Sequence, residues 1–168
     1  MKKVIIVLFL FSGQWLFSQT DVPAKDSLEW QTDLLKAQEL SVASNKPIFA
    51  LFTGSDWCVW CKKLDKDVFA KQEFITWAKK NVILLYLDFP RNKELSPELK
   101  QQNAELQQTF QIKGYPTAWI FYLNKDEATK KMNISALGSL GYPQNPEAGK
   151  EALIFIDNAN NILANRMK

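Results

Sequence analysis

The stretch of sequence that indicates the fold is Pro47-Ile48-Phe49-Ala50-Leu51-Phe52-Thr53-Gly54-Ser55-Asp56-Trp57-Cys58-Val59-Trp60-Cys61-Lys62. Its first part, over 47–53, is a continuous apolar run, which is typical of a strand buried on both faces in a parallel sheet. Gly54, Ser55 and Asp56 interrupt the run and are residue types that cap helices. We therefore predict a buried strand followed at once by a helix over 57–66, with two cysteines at its start.

The rest of the chain alternates between helical and strand-like patterns. We predict further helices over 28–45, around 74–81, and over 97–111 and 146–167, and further strands over 82–87, 117–123 and 132–137. Strands joined through helices pair in parallel with right-handed crossovers, whereas the last two strands are close enough to form an antiparallel hairpin. The expected fold class is α/β, with a central mixed β-sheet and helices on both faces.

The N-terminus has the organisation of a secretory signal peptide. Lys2 and Lys3 precede an unbroken apolar run over 4–11, and cleavage is expected near Ser18 or Gln19. The alternative is an uncleaved membrane anchor. The apolar stretch is short and interrupted, however, whereas a spanning helix needs about 20 apolar residues.

These features predict a signal peptide over 1–19 and a single domain over 20–168. The mature protein is expected in the periplasm or cell envelope, with membrane contact only through the signal peptide before its cleavage. The net charge is +3, and Lys2 and Lys3 supply two of those charges, so residues 20–168 carry a net charge of only +1. No basic stripe remains that would indicate a nucleic-acid partner.

The chain has two cysteines and no histidine. An exported chain meets an oxidising compartment, in which disulfides form and persist. The lack of histidine removes histidine-activated nucleophiles and most zinc sites. We expect no bound cofactor.

Cys58 and Cys61 are placed by the pattern at the N-terminus of a helix. Unpaired N–H groups and the helix dipole favour an anion there, and the thiolate anion is the reactive form of cysteine. Cys58 comes first, nearest the exposed end, and is the predicted nucleophile. Cys61 lies one turn later, is expected to be more buried, and is the predicted resolving thiol.

Two other roles for this cysteine pair remain open. A structural disulfide closing so short a loop stabilises the fold by only about 2 kcal/mol, less than a bridge across the fold would. Two thiolates cannot complete a tetrahedral zinc site, although a copper ion can use them transiently. The position after a strand and at a helix start favours redox chemistry over both.

The same stretch, extended to Lys46, resembles the thioredoxin superfamily. It is similar in particular to exported thioredoxin-like proteins of bacterial envelopes and to the C-terminal thioredoxin-like domain of transmembrane thiol-disulfide interchange proteins. Gly114-Tyr115-Pro116-Thr117 resembles the second landmark of the family, a cis-proline loop before a strand. The resemblance covers roughly residues 30–168. It implies a thioredoxin-like fold, protein disulfide substrates and an unidentified electron donor.

The resemblance also implies roles for residues around the cysteines. Pro116 is expected to face the cysteine pair and to bind the extended substrate backbone, with Tyr115 and Thr117 beside it; an ordinary trans turn proline is the alternative. Trp57 is expected to form an apolar rim that grips substrate, with core packing as its alternative. For Trp60 neither reading is favoured.

The chain departs from the thioredoxin pattern in three places. Thioredoxins carry an Asp on the strand six residues before the first cysteine, where this chain has Phe52. They carry Gly-Pro between the cysteines, where this chain has Val59-Trp60, and the stretch over 89–102 is longer than their equivalent loop. The first two departures leave the redox potential and proton handling open, and the third leaves partner choice open.

Asp65 is a candidate for tuning the pKa of Cys58. It lies seven residues after Cys58, on the same helical face as Cys61, and the similar envelope domains carry an acid at this position. A nearby carboxylate opposes a second negative charge and so raises the pKa of the thiol. The alternative is a solvated helix acid that pairs with Lys62 or Lys66.

The predicted function is thiol-disulfide exchange on exported proteins. Weak thiolate stabilisation disfavours the reduced form of the enzyme and therefore predicts the reducing direction. The alternatives are a non-catalytic thioredoxin-fold binding module and a copper-handling protein.

Overall fold

A computed structural model of the protein describes residues 27–126, 129 and 131–164. The expected signal peptide over 1–19 lies outside the described residues. Within them, no helix combines the length and apolar character needed to cross a membrane.

The described part of the chain forms five strands, five α-helices and one π-helical turn. In chain order they are β1 (Trp30–Gln31), α1 (Leu34–Ser44), β2 (Ile48–Thr53), α2 (Val59–Leu64), the π-helical turn (Asp65–Phe69), α3 (Gln72–Asn81), β3 (Ile83–Asp88), α4 (Pro97–Thr109), β4 (Thr117–Lys125), β5 (Met132–Leu140) and α5 (Glu151–Ala164).

The five strands form one mixed sheet in the order β1-β3-β2-β4-β5. β1 and β2 are parallel to β3, while β4 runs antiparallel to both β2 and β5. α1 and α4 supply residues to the core on one face of the sheet, and α2, the π-helical turn, α3 and α5 supply residues to the core on the other. This arrangement confirms the predicted α/β architecture.

β2 lies at the centre of the sheet, and all six of its residues are buried. Strand side chains alternate between faces, so Phe49 and Leu51 enter the α2/α3/α5 core while Ile48, Ala50 and Phe52 enter the α1/α4 core. Coverage on both faces explains why the sequence of this strand is continuously apolar.

The first predicted helix was too long at its N-terminal end. Residues 28–33 are not helical, because Trp30 and Gln31 pair with β3 as a short strand and the Trp30 ring packs against Tyr86 at 5.6 Å between centroids. The helix begins only after Asp33, whose side chain accepts a hydrogen bond from the Lys36 N–H at 2.8 Å.

Two other predicted helices also differ from the structure. The helix predicted over 57–66 is regular only over 59–64 and then widens into the π-helical turn, where the Ala70 N–H donates to the Asp65 carbonyl at 2.8 Å. The C-terminal helix begins at Glu151 rather than at Pro146. Gly149 has φ of 83°, which a right-handed helix does not accommodate.

Candidate active site

Cys58 is positioned by a tight turn that leaves the end of β2. The Cys58 N–H donates to the Gly54 carbonyl at 2.9 Å, and Cys58 has the extended conformation of a helix N-cap. Its side chain acts as the cap, because Cys58 Sγ accepts a hydrogen bond from the Cys61 N–H at 3.1 Å. A donor aimed at this sulfur stabilises negative charge on it.

Cys58 and Cys61 are joined by a disulfide, with their Cα atoms 5.2 Å apart. The structure therefore shows the oxidised form of the pair. Each cysteine is only 6% exposed, so the expectation that Cys61 is the more buried of the two was wrong for this form. The capping hydrogen bond, rather than burial, distinguishes the two sulfurs.

The loop after β3 is tied to the residues that precede Cys58. The Asp56 carboxylate accepts hydrogen bonds from the Arg91 N–H at 3.0 Å and the Asn92 N–H at 2.6 Å, and Trp57 Nε1–H donates to the Phe89 carbonyl at 2.8 Å. The hydrogen bond from Asn92 is the main reason that the pKa of Asp56 lies below its usual value. We call these three contacts the loop clamp.

Asp88, at the end of β3, makes a second connection to the same turn. Its buried carboxylate accepts hydrogen bonds from the Ser55 N–H at 2.9 Å and the Ser55 hydroxyl at 2.7 Å, and it pairs with Lys93 at 2.8 Å. The Asn103 side-chain amide donates to the Asp88 carbonyl oxygen. The predicted strand over 82–87 ends one residue before Asp88, and no local pattern predicted its contact with Ser55, which lies 33 residues away.

Trp57 is half-buried, and its ring packs against neighbouring residues. An ideal Cβ on Gly54 would lie 2.5 Å from the Trp57 indole, so the ring needs a glycine beneath it. The Arg91 guanidinium lies 4.0 Å from the ring centroid, and the Tyr115 ring lies edge-on at 5.8 Å. These contacts show that the Trp57 ring packs against neighbouring residues, while its predicted role in gripping substrate stays a prediction.

The structure places Pro116 in the turn before β4, and the Tyr115–Pro116 peptide bond is cis, as the resemblance implied. Pro116 is buried, and the Thr117 hydroxyl donates to the Gly114 carbonyl at 2.8 Å. The Tyr115 ring packs against Phe89 in the loop after β3, with the ring centroids 5.3 Å apart. The ring contact between Tyr115 and Trp57 brings this turn beside the cysteine motif.

A cavity of 600 Å³ lies beside Pro116, and we call it the groove. Its volume is within the range of about 300–1,000 Å³ that is typical of ligand pockets. One wall is Trp60, which is 55% exposed and whose ring lies 5.2 Å from that of Tyr142. The Tyr142 hydroxyl donates to the Asp67 carboxylate at 2.8 Å. Tyr142 was not indicated by the sequence, because it follows β5 and is remote from the motif along the chain.

Phe52 does not face the cysteine pair. Its ring points into the α1/α4 core, stacked on Phe89 at 6.4 Å and edge-on to Phe110 at 5.9 Å. The sheet position beside Cys61 is held instead by Thr53 and Tyr86, which line a cavity of 220 Å³ with it. Burial raises the pKa of the Tyr86 phenol.

Asp65 lines the same 220 Å³ cavity as Cys61 but is an exposed residue at the start of the π-helical turn. Its predicted neighbour Lys62 donates from Nζ to the Asp56 backbone carbonyl at 2.8 Å. Within the described part of the chain, no three His, Cys, Asp or Glu side chains are grouped to hold a metal ion.

Comparison with known proteins gives consistent results. The model of a thioredoxin-like domain family matches residues 34–129. The disulfide bond reductase DsbH of Chlamydia pneumoniae is 35% identical over 131 residues, which are 78% of this chain and 77% of DsbH. The thioredoxin-related protein DsbJ of the same organism is 25% identical over 161 residues, which are 96% of this chain but 44% of DsbJ.

Solved structures show the same relationship. A structure described as DsbH oxidoreductase superimposes with a TM-score of 0.68 at 27% identity, covering 91% of this chain and 95% of that one. The solution structure of a thioredoxin from Thermus thermophilus superimposes with a TM-score of 0.56 at 14% identity, covering 82% and 88% respectively. The second similarity is one of fold alone.

The loop clamp predicts a pH-dependent contribution of Asp56 to stability. Because the folded-state pKa of Asp56 is lowered, its contribution is fully present above the unfolded-state value of about 3.9 and is lost as pH falls through the folded-state value. Asp56→Asn should therefore lower the urea midpoint of unfolding at pH 6, and the difference from the wild type should shrink as the pH falls below 4. Asp157→Asn, an exposed site on α5, is the control. A deficit of equal size at every pH would show that the charge of Asp56 is irrelevant.

Proposed function

This chain belongs to the thioredoxin-like family, and from that premise we propose that it reduces disulfides in exported proteins through Cys58 and Cys61. The family and the Cys58–Cys61 disulfide make it a thioredoxin-like oxidoreductase. The reducing direction, the exported substrates and the roles of individual residues are the proposal. The name of DsbH, a disulfide bond reductase, supports the direction.

The observation that carries the proposal is the hydrogen bond from the Cys61 N–H to Cys58 Sγ at the start of α2. It stabilises a thiolate on Cys58, which attacks one sulfur of a substrate disulfide. The other substrate sulfur leaves as a thiolate and takes up a proton. The product is a mixed disulfide between Cys58 and the substrate.

Cys61 completes the reaction. Its thiolate attacks Cys58 Sγ, breaks the mixed disulfide and releases the second substrate thiol, so two electrons and two protons have passed to the substrate. The enzyme is left with the Cys58–Cys61 disulfide seen in the structure. A dithiol donor then returns the pair to the reduced form by the same exchange chemistry.

The residues around the pair hold the substrate. Pro116 lines the 600 Å³ groove with Tyr115 and Thr117, and this groove takes the extended substrate backbone next to the attacked cysteine. The Trp57 ring contacts Tyr115 at the edge of this groove and supplies an apolar surface beside Cys58.

The two cysteines are expected to respond differently to substitution. Cys58→Ser should abolish reduction of a protein disulfide such as that of insulin with dithiothreitol as donor, because the nucleophile is lost. Cys61→Ser should instead accumulate mixed disulfides through Cys58. In the reduced wild type, iodoacetamide should label Cys58 before Cys61. Faster labelling of Cys61 would reverse the two roles, and binding of unfolded protein without turnover would indicate a non-catalytic module.

Asp65 is proposed to favour the reducing direction. It lines the cavity beside Cys61, and its negative charge disfavours a thiolate nearby. Asp65→Asn should make Cys58 ionise more easily, which the absorbance of the thiolate measures. The variant should also shift the equilibrium with glutathione toward the reduced protein by about three-fold, or roughly 15 mV. Glu73→Gln, on the exposed side of α3, is the control. An unchanged titration of Cys58 would remove Asp65 from the mechanism.

Export is proposed from the N-terminal sequence, with residues 1–19 as the signal peptide and 20–168 as the mature domain in the periplasm or cell envelope. The positive residues Lys2 and Lys3 and the apolar run over 4–11 support it. N-terminal sequencing of the protein recovered from the envelope fraction should begin near residue 19 or 20. Recovery of the intact N-terminus from membranes would instead indicate an uncleaved anchor.

A further inference from the structure

Two aromatic surfaces beside Cys58 each carry a cation. On one side, the Arg91 guanidinium lies 4.0 Å from the centroid of the Trp57 ring. On the other, Lys63 Nζ lies 5.2 Å from the Trp60 ring and 4.7 Å from the Tyr142 ring. Both cationic residues are exposed. Trp57 immediately precedes the nucleophile and Trp60 immediately precedes the resolving cysteine, so each cation lies on a ring that is next to one of the two cysteines along the chain.

The nearby carboxylates are engaged by groups of the protein itself. Asp56 accepts backbone hydrogen bonds from Arg91 and Asn92, and Asp67 accepts one from the Tyr142 hydroxyl. Asp65 lies with Cys61 on the 220 Å³ cavity rather than against either aromatic surface. These carboxylates keep their charge, and Asp67 and Glu151 act electrostatically on Lys63. Among the described residues, however, neither Arg91 nor Lys63 forms an ion pair, so an approaching polypeptide meets two exposed cations that are not ion-paired.

The two cations are also held in place before any substrate arrives. A cationic side chain on an aromatic face is held there by electrostatic attraction to the ring. The backbone of Arg91 is fixed by the loop clamp, and Lys63 lies on α2. Pairing with an incoming carboxylate therefore costs less side-chain entropy than it would for a free surface cation.

We propose that these two aromatic surfaces, with their cations, select the substrate. It is an extended polypeptide disulfide with acidic side chains on both sides of the cysteine that Cys58 attacks. The inference rests on the proposed function and names the substrate class for the same site. The 600 Å³ groove between Lys63 and Pro116 takes one flank of the polypeptide, and the Trp57 side takes the other. Rim charges act mainly on the association rate and its salt dependence.

The test uses three short peptides, each linked to a second copy of itself by a disulfide, with Glu, Gln or Lys on both sides of the single cysteine. Second-order rate constants are measured for the reduced protein with each peptide. Each value is divided by the rate constant of dithiothreitol with the same peptide, because flanking charges also alter the intrinsic reactivity of the disulfide. The reacting form of dithiothreitol is a thiolate, as it is for Cys58, so the division also removes the effect of flanking charges on an approaching thiolate.

The normalised rate constants of the wild type should fall in the order Glu, Gln, Lys. At an ionic strength of about 10 mM, where the Debye length is about 30 Å, we expect a Glu-to-Lys ratio of about ten. At about 1 M, where the Debye length is about 3 Å, the ratio should fall to below about two. A normalised ratio near one at low salt would overturn the inference.

Charge-removing variants assign the preference to the two cations. Arg91→Gln and Lys63→Gln should each reduce the ratio about three-fold, and the double variant should nearly abolish it. Arg91→Lys and Lys63→Arg should keep the preference, which separates charge from shape. Lys80→Gln is the matched control, because Lys80 lies in the last turn of α3 just before β3 begins, at the opposite end of the sheet from Cys58. Full preference in a folded double variant contradicts the inference.

The test separates this inference from the proposed function. Exchange with all three peptides at equal normalised rates would refute the charge preference and leave the oxidoreductase activity standing. No exchange with any peptide would refute the proposed function as well. The salt series on the wild type does not depend on whether the variants fold.

Discussion

β2 is buried along its whole length, and the position of Cys58 depends on that burial. The strand lies between parallel β3 and antiparallel β4, with helices on both faces. The chain can leave the sheet only at Gly54, where the Thr53 carbonyl already accepts the Phe89 N–H at 2.8 Å. The turn that follows brings the Cys58 N–H back to Gly54, and this places the first sulfur at the start of α2.

The same turn organises the surface that a substrate meets. Ser55, Asp56 and Trp57 each hold a different point of the segment from Asp88 to Asn92. Two of these hydrogen bonds are accepted by carboxylates, those of Asp88 and Asp56, and hydrogen bonds to charged groups are stronger than neutral ones. Among the described residues, no buried side-chain nitrogen or oxygen lacks a hydrogen-bond partner. The site is thus built before substrate binds.

Much of the fold could be predicted because the strand and helix patterns are local, and the order of elements around Cys58 follows from them. β1 could not be predicted, because Trp30 has helical spacing to Leu34 and its strand depends on pairing with β3. Tyr142 and Asp88 were missed for a similar reason. Their partners Asp67 and Ser55 lie 75 and 33 residues away, and no local pattern reports such contacts.

The two residues between the cysteines differ in how freely evolution or a protein engineer can exchange them. Val59 is 75% exposed and takes part in neither aromatic surface, so this position can change the chemistry of the motif at little cost to the fold. The Trp60 ring packs against Tyr142 and against the Lys63 ammonium group, and the Tyr142 hydroxyl donates a hydrogen bond to Asp67. Substitutions of Val59 therefore change the reactivity of the motif alone, whereas substitutions of Trp60 also remove one wall of the groove.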